Sequence, residues 1–281
     1  MPPAPIDHPA LAPGRVAVIT GAARGIGLAC ALRFARAGMR IVLADLDGLD
    51  EAAAVVAAEG AEVMAHVTDV TDPTALTGLR DATFARFGDV GLLMNNAAVG
   101  GGGDPLSNPD GWARVLAVNL NGVLNGTQAF AKAMLDEGRP ALIVNTGSKQ
   151  GITAPPGDTA YNVSKAGVKV LTEGLAHSLR QVTGAPVSAH LLIPGFTYTA
   201  MIARRLPERP PGAWTPEQVA GALVAGLVAN DFYILCPDND TPRAVDERRV
   251  LWAAGDIVEN RPALSRWHPE WKAAFADFVA G

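Results

Sequence analysis

The stretch from Arg15 to Gly38 leaves this chain few folds to choose from. Arg15 to Thr20, R-V-A-V-I-T, is a short β-branched run that reads as a buried strand. It passes into T-G-A-A-R-G-I-G, Thr20 to Gly27, and then into L-A-C-A-L-R-F-A-R-A-G, where apolar residues recur at helical spacing up to Gly38. Strand, glycine-rich turn and helix in that order open a dinucleotide-binding unit. Gly21 allows the tight turn, Gly25 lets the backbone approach a pyrophosphate, and Gly27 lets the helix pack on the strand, with the helix N-terminus facing the phosphates. The spacing is G-x-x-x-G-x-G, not the more general G-x-G-x-x-G. Glycine turns also close helices that bind nothing; placement between a strand and a helix is what favours a cofactor here. Arg24 and Ile26 lie in the same turn.

A second strand, Arg40 to Ala44, ends at Asp45 and Leu46. An acid about 20 residues beyond the glycines is placed to accept hydrogen bonds from the adenosine ribose. It repels a 2′-phosphate, which argues for NAD over NADP. Arg24 argues the other way, because it can pair with such a phosphate. Leu49 to Glu59 is helical, Glu62 to Val67 a third strand, and Asp69-Val70 follows it. Asp69 either meets the adenine amino group or starts the turn into a helix over Pro73 to Phe87. Val90 to Met94 is a fourth strand that runs into Asn95-Asn96-Ala97-Ala98. Repeated β-α units of this length predict a doubly wound α/β fold, a parallel sheet with helices on both faces.

Val99 to Gly103 holds four consecutive glycines and reads as a mobile loop at the carboxyl edge of the sheet. Asn108 to Leu135 reads as one long helix, with the polar Asn119 set among apolar neighbours and in need of a partner. Ala141 to Thr146 is a fifth strand, Val187 to Ile193 a sixth ending at Pro194-Gly195, and Phe232 to Leu235 a seventh.

The fifth strand delivers Ser148, at the head of S-K-Q-G-I-T-A-P-P-G-D-T-A-Y-N-V-S-K. Tyr161 and Lys165 are four apart and share one face of a helix over Asp158 to Val182. A cation there favours the phenolate and lowers the tyrosine pKa, making Tyr161 an acid–base group. Such pairs also arise on solvated helices. Lys149 to Thr159 reads as a loop over the substrate, with Ser148, Gln150, Ile152, Tyr161 and Phe196 as candidate pocket residues. Trp112, Tyr198 and Met201 would add to an apolar wall.

Taken in order and register, T-G-x-x-x-G-I-G, N-N-A, the Asn119 helix, Ser148, Y-x-x-x-K and P-G resemble the short-chain dehydrogenase/reductase family over about Arg15 to Leu235. The resemblance implies a Rossmann-type fold of seven parallel strands and a catalytic tetrad of Asn119, Ser148, Tyr161 and Lys165. It implies that Asn96 and Ala97 contact or support the cofactor, that Asp69 and Val70 meet the adenine, and that Pro194, Gly195, Thr197 and Thr199 embrace the nicotinamide. Tyr161 and Lys165 would also hold the nicotinamide ribose, and Asn119 would anchor a water leading to Lys165. Two positions depart from the family pattern: Ala98 stands where a glycine is usual, and Gly147 where a serine is frequent. The implied reaction passes a hydride between a secondary alcohol or ketone and NAD. An NADPH-dependent carbonyl reductase and a non-catalytic NAD(H)-binding regulator are the alternatives.

The chain of 281 residues is 49% hydrophobic and 18% charged, enough to build one sizeable core. A net charge of −5 gives no case for nucleic acid or an anionic membrane. Cys30 and Cys236 form no disulfide framework, which suits a cytoplasmic protein. The five histidines show no ligand spacing, so no metal is expected. Residues 1–14 read as a flexible arm, 15–236 as the catalytic domain, and 237–281 as an extension whose aromatics cover the same domain or a neighbouring subunit. The resemblance also implies a homo-oligomer, a homodimer or homotetramer, and the long helices bearing Asn119 and Tyr161 are very apolar for one domain to cover.

Overall fold

The continuous apolar runs become the inner strands of one parallel sheet. In the computed structural model, which describes residues 6–203 and 206–281, the first half runs β1 (Val16–Thr20), α1 (Gly25–Arg36), β2 (Arg40–Asp45), α2 (Leu49–Ala57), β3 (Val63–Val67), α3 (Pro73–Phe87) and β4 (Leu92–Asn95). After these come α4 (Pro109–Leu116), α5 (Gly122–Glu137), β5 (Ala141–Thr146), α6 (Gln150–Thr153), α7 (Thr159–Gln181) and β6 (Val187–Ile193). The chain finishes with α8 (Ala200–Ala203), α9 (Pro216–Val228), β7 (Tyr233–Leu235), α10 (Arg243–Val258) and α11 (Lys272–Ala280). Local chemistry sets the helix ends. Asp72 caps α3 ahead of Pro73, and Gly88 closes it with φ +67°. Thr215 and Gln218 form a reciprocal capping box ahead of α9.

The strand order is β3-β2-β1-β4-β5-β6-β7, and every pairing is parallel. The chain reverses its direction of travel between β1 and β4, where the carboxyl ends of the strands open a crevice. Strands β1, β4 and β5 are buried along their whole length, as expected of strands covered on both faces. One core cluster packs α1, α2 and α9 on one face, with Phe34, Leu43, Val56 and Leu223 at its centre. The other face carries α3, α5 and α7 through Leu76, Phe130, Met134 and Leu179. No helix among the described residues is long and apolar enough to cross a membrane.

Four expectations need correction. Residues 6–14 do not hang loose: Ile6, Ala10 and Leu11 are buried in the first cluster, and the Pro9 carbonyl accepts from Arg15 Nη1 at 3.2 Å. The long helix over Asn108 to Leu135 is interrupted by a π turn at Ala117–Asn121. Lys149 to Thr159 is not all loop, because Gln150–Thr153 forms a helical turn. The C-terminal aromatics, finally, cover one another: the Trp252 ring lies 5.4 Å from Phe275 and 5.2 Å from Phe278, and 6.3 Å from Trp271.

A buried charge network stitches the starts of β1 and β4. Arg15 Nε pairs with Asp89 Oδ2 at 2.6 Å, and Glu137 at the end of α5 packs beside Asp89. Burial, then the neighbouring Asp89, pushes the Glu137 carboxyl up to about 7. A folded-state pKa above the unfolded value means that the native state holds the proton more tightly, so stability is lost as pH rises from the ordinary carboxylate range through about 7. Glu137→Gln imitates the protonated acid. The variant is expected to melt higher than the wild type above pH 7 and to match it near pH 5, as read by thermal unfolding across that range.

Candidate active site

The carboxyl ends of β1, β4 and β5 are held at one level by a single side chain. Asn96 Nδ2 donates to the carbonyls of Thr20 at 3.1 Å and Gly21 at 3.2 Å, while the backbone amides of Asn96 and Ala97 donate to Thr20 Oγ1. Thr146 Oγ1, at the end of β5, donates to Asn96 Oδ1 at 3.3 Å. Beneath this layer Asn95 Nδ2 donates to Asn145 Oδ1 at 2.9 Å, and Asn145 passes the chain on to Thr172.

The glycine turn fits a dinucleotide phosphate. Gly21 and Gly25 have φ +64° and +58°, and a Cβ on Gly27 would stand 2.2 Å from the Gly21 carbonyl oxygen. Bare backbone therefore lies over the start of α1, where no side chain caps the helix and no acid occupies its first turn. Its unpaired N–H groups and the helix dipole suit an anion. Asp45 sits at the end of β2, where its carboxylate accepts from the amides of Ala23 at 3.0 Å and Leu46 at 2.8 Å. Arg24 pairs with Asp47, and both are solvent-exposed. Ile26 packs into the first core cluster, and Leu46 is exposed. Asp69 is exposed, with one carboxylate oxygen taken by the Thr71 amide and hydroxyl at 2.9 and 2.8 Å. Val70 is buried, and its carbonyl accepts from Asn125.

On the other side of the crevice, β5 ends at Thr146 and the chain turns through Gly147 to Ser148. Ser148 Oγ accepts from the Gln150 amide at 3.1 Å. The Ser148 hydroxyl faces Tyr161, and Lys165 Nζ lies 5.7 Å from the centre of the tyrosine ring. Tyr161 keeps part of its surface open to the crevice, yet the protein packed around it pushes its phenol up to about 12. Interaction with Ser148 pulls the value back in part, and the Asp158 charge raises it. The lowering expected from Lys165 is not found: desolvation, Ser148 and Asp158 set the value. Lys165 is itself buried at 2% exposure, and its ammonium donates to the Thr146 carbonyl at 2.7 Å. Burial draws the Lys165 pKa down to about 8.

Asn119 lies in the π turn, fully buried, where the widened backbone aims it at the glycine loop. Its Oδ1 accepts from the Val99 amide at 2.7 Å, and its Nδ2 donates to the Val99 carbonyl at 2.9 Å and to Ser164 Oγ at 3.1 Å. Ser164 in turn donates to the Tyr161 carbonyl at 2.7 Å. The side-chain amide is thus committed to structure, so a water at this position would need backbone groups to hold it.

The glycine loop is not free either. Asp158 accepts from the amides of Gly101 at 2.7 Å and Gly103 at 3.1 Å, and it caps α7 through the Tyr161 amide at 3.3 Å. Asp158 is legible in sequence as a helix cap, but its grip on a loop far upstream is not. Facing the glycine turn, Thr199 would stand 3.5 Å from a Cβ on Gly25, and Thr197 is buried with its hydroxyl on the Gly195 carbonyl. Met201 reaches the glycine loop: its sulfur is 3.4 Å from where Gly100 would carry a Cβ. Phe196 and Met201 are exposed at 39% and 37%, apolar surface bordering the crevice. Ile152 instead packs inward on Val123, Val168, Leu191 and Ile193. Trp112 Nε1 is bonded to the Asp104 carbonyl, and the Tyr198 hydroxyl to the Leu206 and Pro207 carbonyls.

A family model described as short chain dehydrogenase matches residues 15–210. The chain is similar to the 1-deoxy-11-beta-hydroxypentalenate dehydrogenase of Streptomyces exfoliatus, with 34% identity over 261 residues that cover 90% of this chain and 94% of that one. Among solved structures it is similar to a short chain dehydrogenase/reductase from Burkholderia phymatum in complex with NAD, at 36% identity and a TM-score of 0.81, covering 89% of this chain and 96% of that one. It is also similar to an NAD+-bound xylitol dehydrogenase, at 30% identity and a TM-score of 0.70, covering 77% and 92%.

Because the Asp158 charge raises the Tyr161 pKa, Asp158→Asn is expected to lower it. The phenolate absorbance of the variant should begin to rise at lower pH than in the wild type. Tyr198 and Tyr233 are common to both proteins and cancel in the difference titration.

Proposed function

The chain belongs to the short-chain dehydrogenase family, an oxidoreductase working with a nicotinamide cofactor, and we propose that it interconverts a hydrophobic secondary alcohol and its ketone with NAD. The observation that carries this reading is the meeting of Ser148, Tyr161 and Lys165 at the edge of the crevice that also bears the bare glycine turn.

Gly21, Gly25 and Gly27 would hold the pyrophosphate on backbone amides, with Arg24 and Ile26 completing the turn. Asp45 and Leu46 would hold the adenosine ribose, Asp69 and Val70 the adenine side, and Asn96 with Ala97 the floor beneath. Pro194, Gly195, Thr197 and Thr199 would face the nicotinamide, and Lys165 its ribose. The bound nicotinamide would accept or supply the hydride. Ser148 would donate a hydrogen bond to the substrate oxygen, stabilising charge as it develops there. Tyr161 would move the hydroxyl proton. In reduction its phenol is protonated at neutral pH and ready to donate. In oxidation the active base would be the phenolate, the minor form of the pair once it has lost one proton, with the ammonium then on Lys165. The first such loss lies near the Lys165 value of about 8. Asn119 would act by fixing Val99 and Ser164, keeping the glycine loop and the Tyr161 turn together. Phe196, with Gln150 on the Ser148 side, would border the substrate.

The preference for NAD rests on two acids, Asp45 and Asp47, at the end of β2, with Arg24 already engaged by Asp47. A carboxylate near a 2′-phosphate costs about 1–4 kcal/mol, which is roughly 5- to 1000-fold in kcat/KM. The apolar borders Phe196 and Met201 support a hydrophobic substrate, as does likeness to a dehydrogenase of 1-deoxy-11-beta-hydroxypentalenate. Residues 15–236 would form the catalytic unit, and the exposed Val163 and Val170 on α7 and Leu124 on α5 would face a second copy in a dimer or tetramer. No membrane or nucleic-acid partner is proposed, and cytoplasmic residence is the reading.

A panel of secondary alcohols with NAD, read as NADH absorbance, tests the reaction. Tyr161→Phe should lower kcat/KM by about 100- to 10,000-fold while NAD binding stays as in the wild type; retained turnover would remove Tyr161 from its role. Oxidation should speed up as pH rises through about 8, and reduction should slow over the same range. A kcat/KM preference for NADP would overturn the reading of Asp45.

A further inference from the structure

We infer that Lys149 is a positioning residue through which the C-terminal extension holds two walls of the active site in register, the Ser148 turn and the Pro194–Thr197 segment; the inference rests on the reaction proposed above. Lys149 follows Ser148 directly, but its side chain is only 14% exposed and is not spent on solvent. The ammonium pairs with Asp238 Oδ2 at 2.9 Å and also meets the Asp246 carboxylate. Asp238 stands just beyond β7, and Asp246 lies in the first turn of α10; their side chains are 9% and 5% exposed. The other oxygen of Asp246 faces Arg249 at 3.5 Å, and Arg249 also reaches the Thr241 hydroxyl. Two cations and two acids therefore close a neutral cluster built from three parts of the chain.

The cluster sits directly against the second wall. The Lys149 amide donates to the Pro194 carbonyl at 3.1 Å, and the Phe196 amide approaches Asp238 Oδ2 at 3.5 Å. A Cβ on Gly195 would stand 2.8 Å from Lys149 Nζ and 2.9 Å from Asp238 Oδ2. Only glycine leaves the pair its place, a reason for Pro194-Gly195 that is separate from any cofactor contact. A buried charge left without its partner is strongly unfavourable, unlike an exposed ion pair, so the cluster resists opening.

On its far side the cluster is held by a body with its own small core. Trp252 packs on Trp271, Phe275 and Phe278, the Arg261 guanidinium lies 4.0 Å from the Trp252 ring, and Trp252 Nε1 donates to Ser265 Oγ at 2.7 Å. Any shift of α10 thus moves Lys149, and with it the residue that carries the substrate-facing hydroxyl and the backbone at Gly195.

The test uses the full-length protein. Asp246→Asn unhooks α10 from Lys149 and Arg249 but leaves Lys149 neutralised by Asp238, and far-UV circular dichroism checks that the fold stands; Lys149→Met removes the whole link, and Lys149→Arg keeps the charge. Amide hydrogen exchange should quicken over 148–153 and 194–199 in Asp246→Asn and Lys149→Met, with β1 and β4 as in the wild type. With NAD and an accepted alcohol, kcat should fall by about 10- to 100-fold in both, the scale of a small misplacement of reacting groups. Lys149→Arg should recover much of that loss. Binding of adenosine diphosphate ribose, which lacks the nicotinamide, should stay as in the wild type. Unchanged exchange in both segments would overturn the tether whatever the turnover, and faster exchange with unchanged kcat would overturn its positioning role. A wild type that turns over no alcohol, while its variants still exchange faster, would overturn the reaction and leave the tether standing.

Discussion

The close approach of backbone to backbone at the ends of β1 and β4 is the constraint on which the rest of the site depends. A Cβ on Gly21 would stand 2.7 Å from the Ala97 Cα, and one on Gly27 would press into the Gly21 carbonyl. With side chains removed from that contact, the Asn96 amide can reach across and bind the carbonyls of Thr20, at the end of β1, and of Gly21 just beyond it. Thr146 adds β5 to the same knot. Three strands then end at one height, and whatever follows each of them starts from a known place. The turn after β1 opens onto the crevice, the glycine loop leaves β4, and Ser148 follows β5.

Desolvation is the second organising force, and it acts against stability. Lys165 lies in the interior with the Thr146 carbonyl as its hydrogen-bond acceptor, and its charged form is disfavoured by the same burial that brings it to the tyrosine ring. Tyr161 is shifted in the opposite direction for the same reason. Burial therefore separates two proton affinities that start close together, drawing the lysine down to about 8 and pushing the phenol up to about 12. A site arranged in this way stores unfavourable electrostatics in the core, and the neighbouring hydrogen bonds of Asn119, Ser164 and Asp158 hold it there.

Carboxylates serve as the organisers of backbone. Asp45 gathers the amides of Ala23 and Leu46, Asp158 those of Gly101, Gly103 and Tyr161, and Asp238 lies at that of Phe196. Irregular segments carry N–H groups that no helix or sheet satisfies, and an ionised acceptor binds them more strongly than a neutral one. That is why a run of four glycines, which by composition should wander, is tied down beside the tyrosine.

Much of this was legible before any coordinates. The order of strands and helices, the glycine-rich turn, the acid at the end of β2 and the alignment of Tyr161 with Lys165 all follow from short-range patterns: apolar periodicity, capping residues and helical spacing. These depend on residues within one or two turns of each other. What stayed hidden depends on residues that meet only when the sheet forms. Asp158 and Gly101 are 57 positions apart and Lys149 and Asp238 are 89 apart. The π turn at Asn119 was hidden for a related reason, since its extra residue is selected by packing on Val99 and Ser164 and leaves the apolar pattern intact. The direction of the tyrosine shift is not legible in the sequence, because helical spacing supplies the cation but not the depth of burial. The chain alone thus determined which chemistry is present and in what order, because local geometry follows from local sequence. Only the tertiary structure decided how tightly the loops are held and how the protons are distributed, because both are set by long-range contacts and by the exclusion of water.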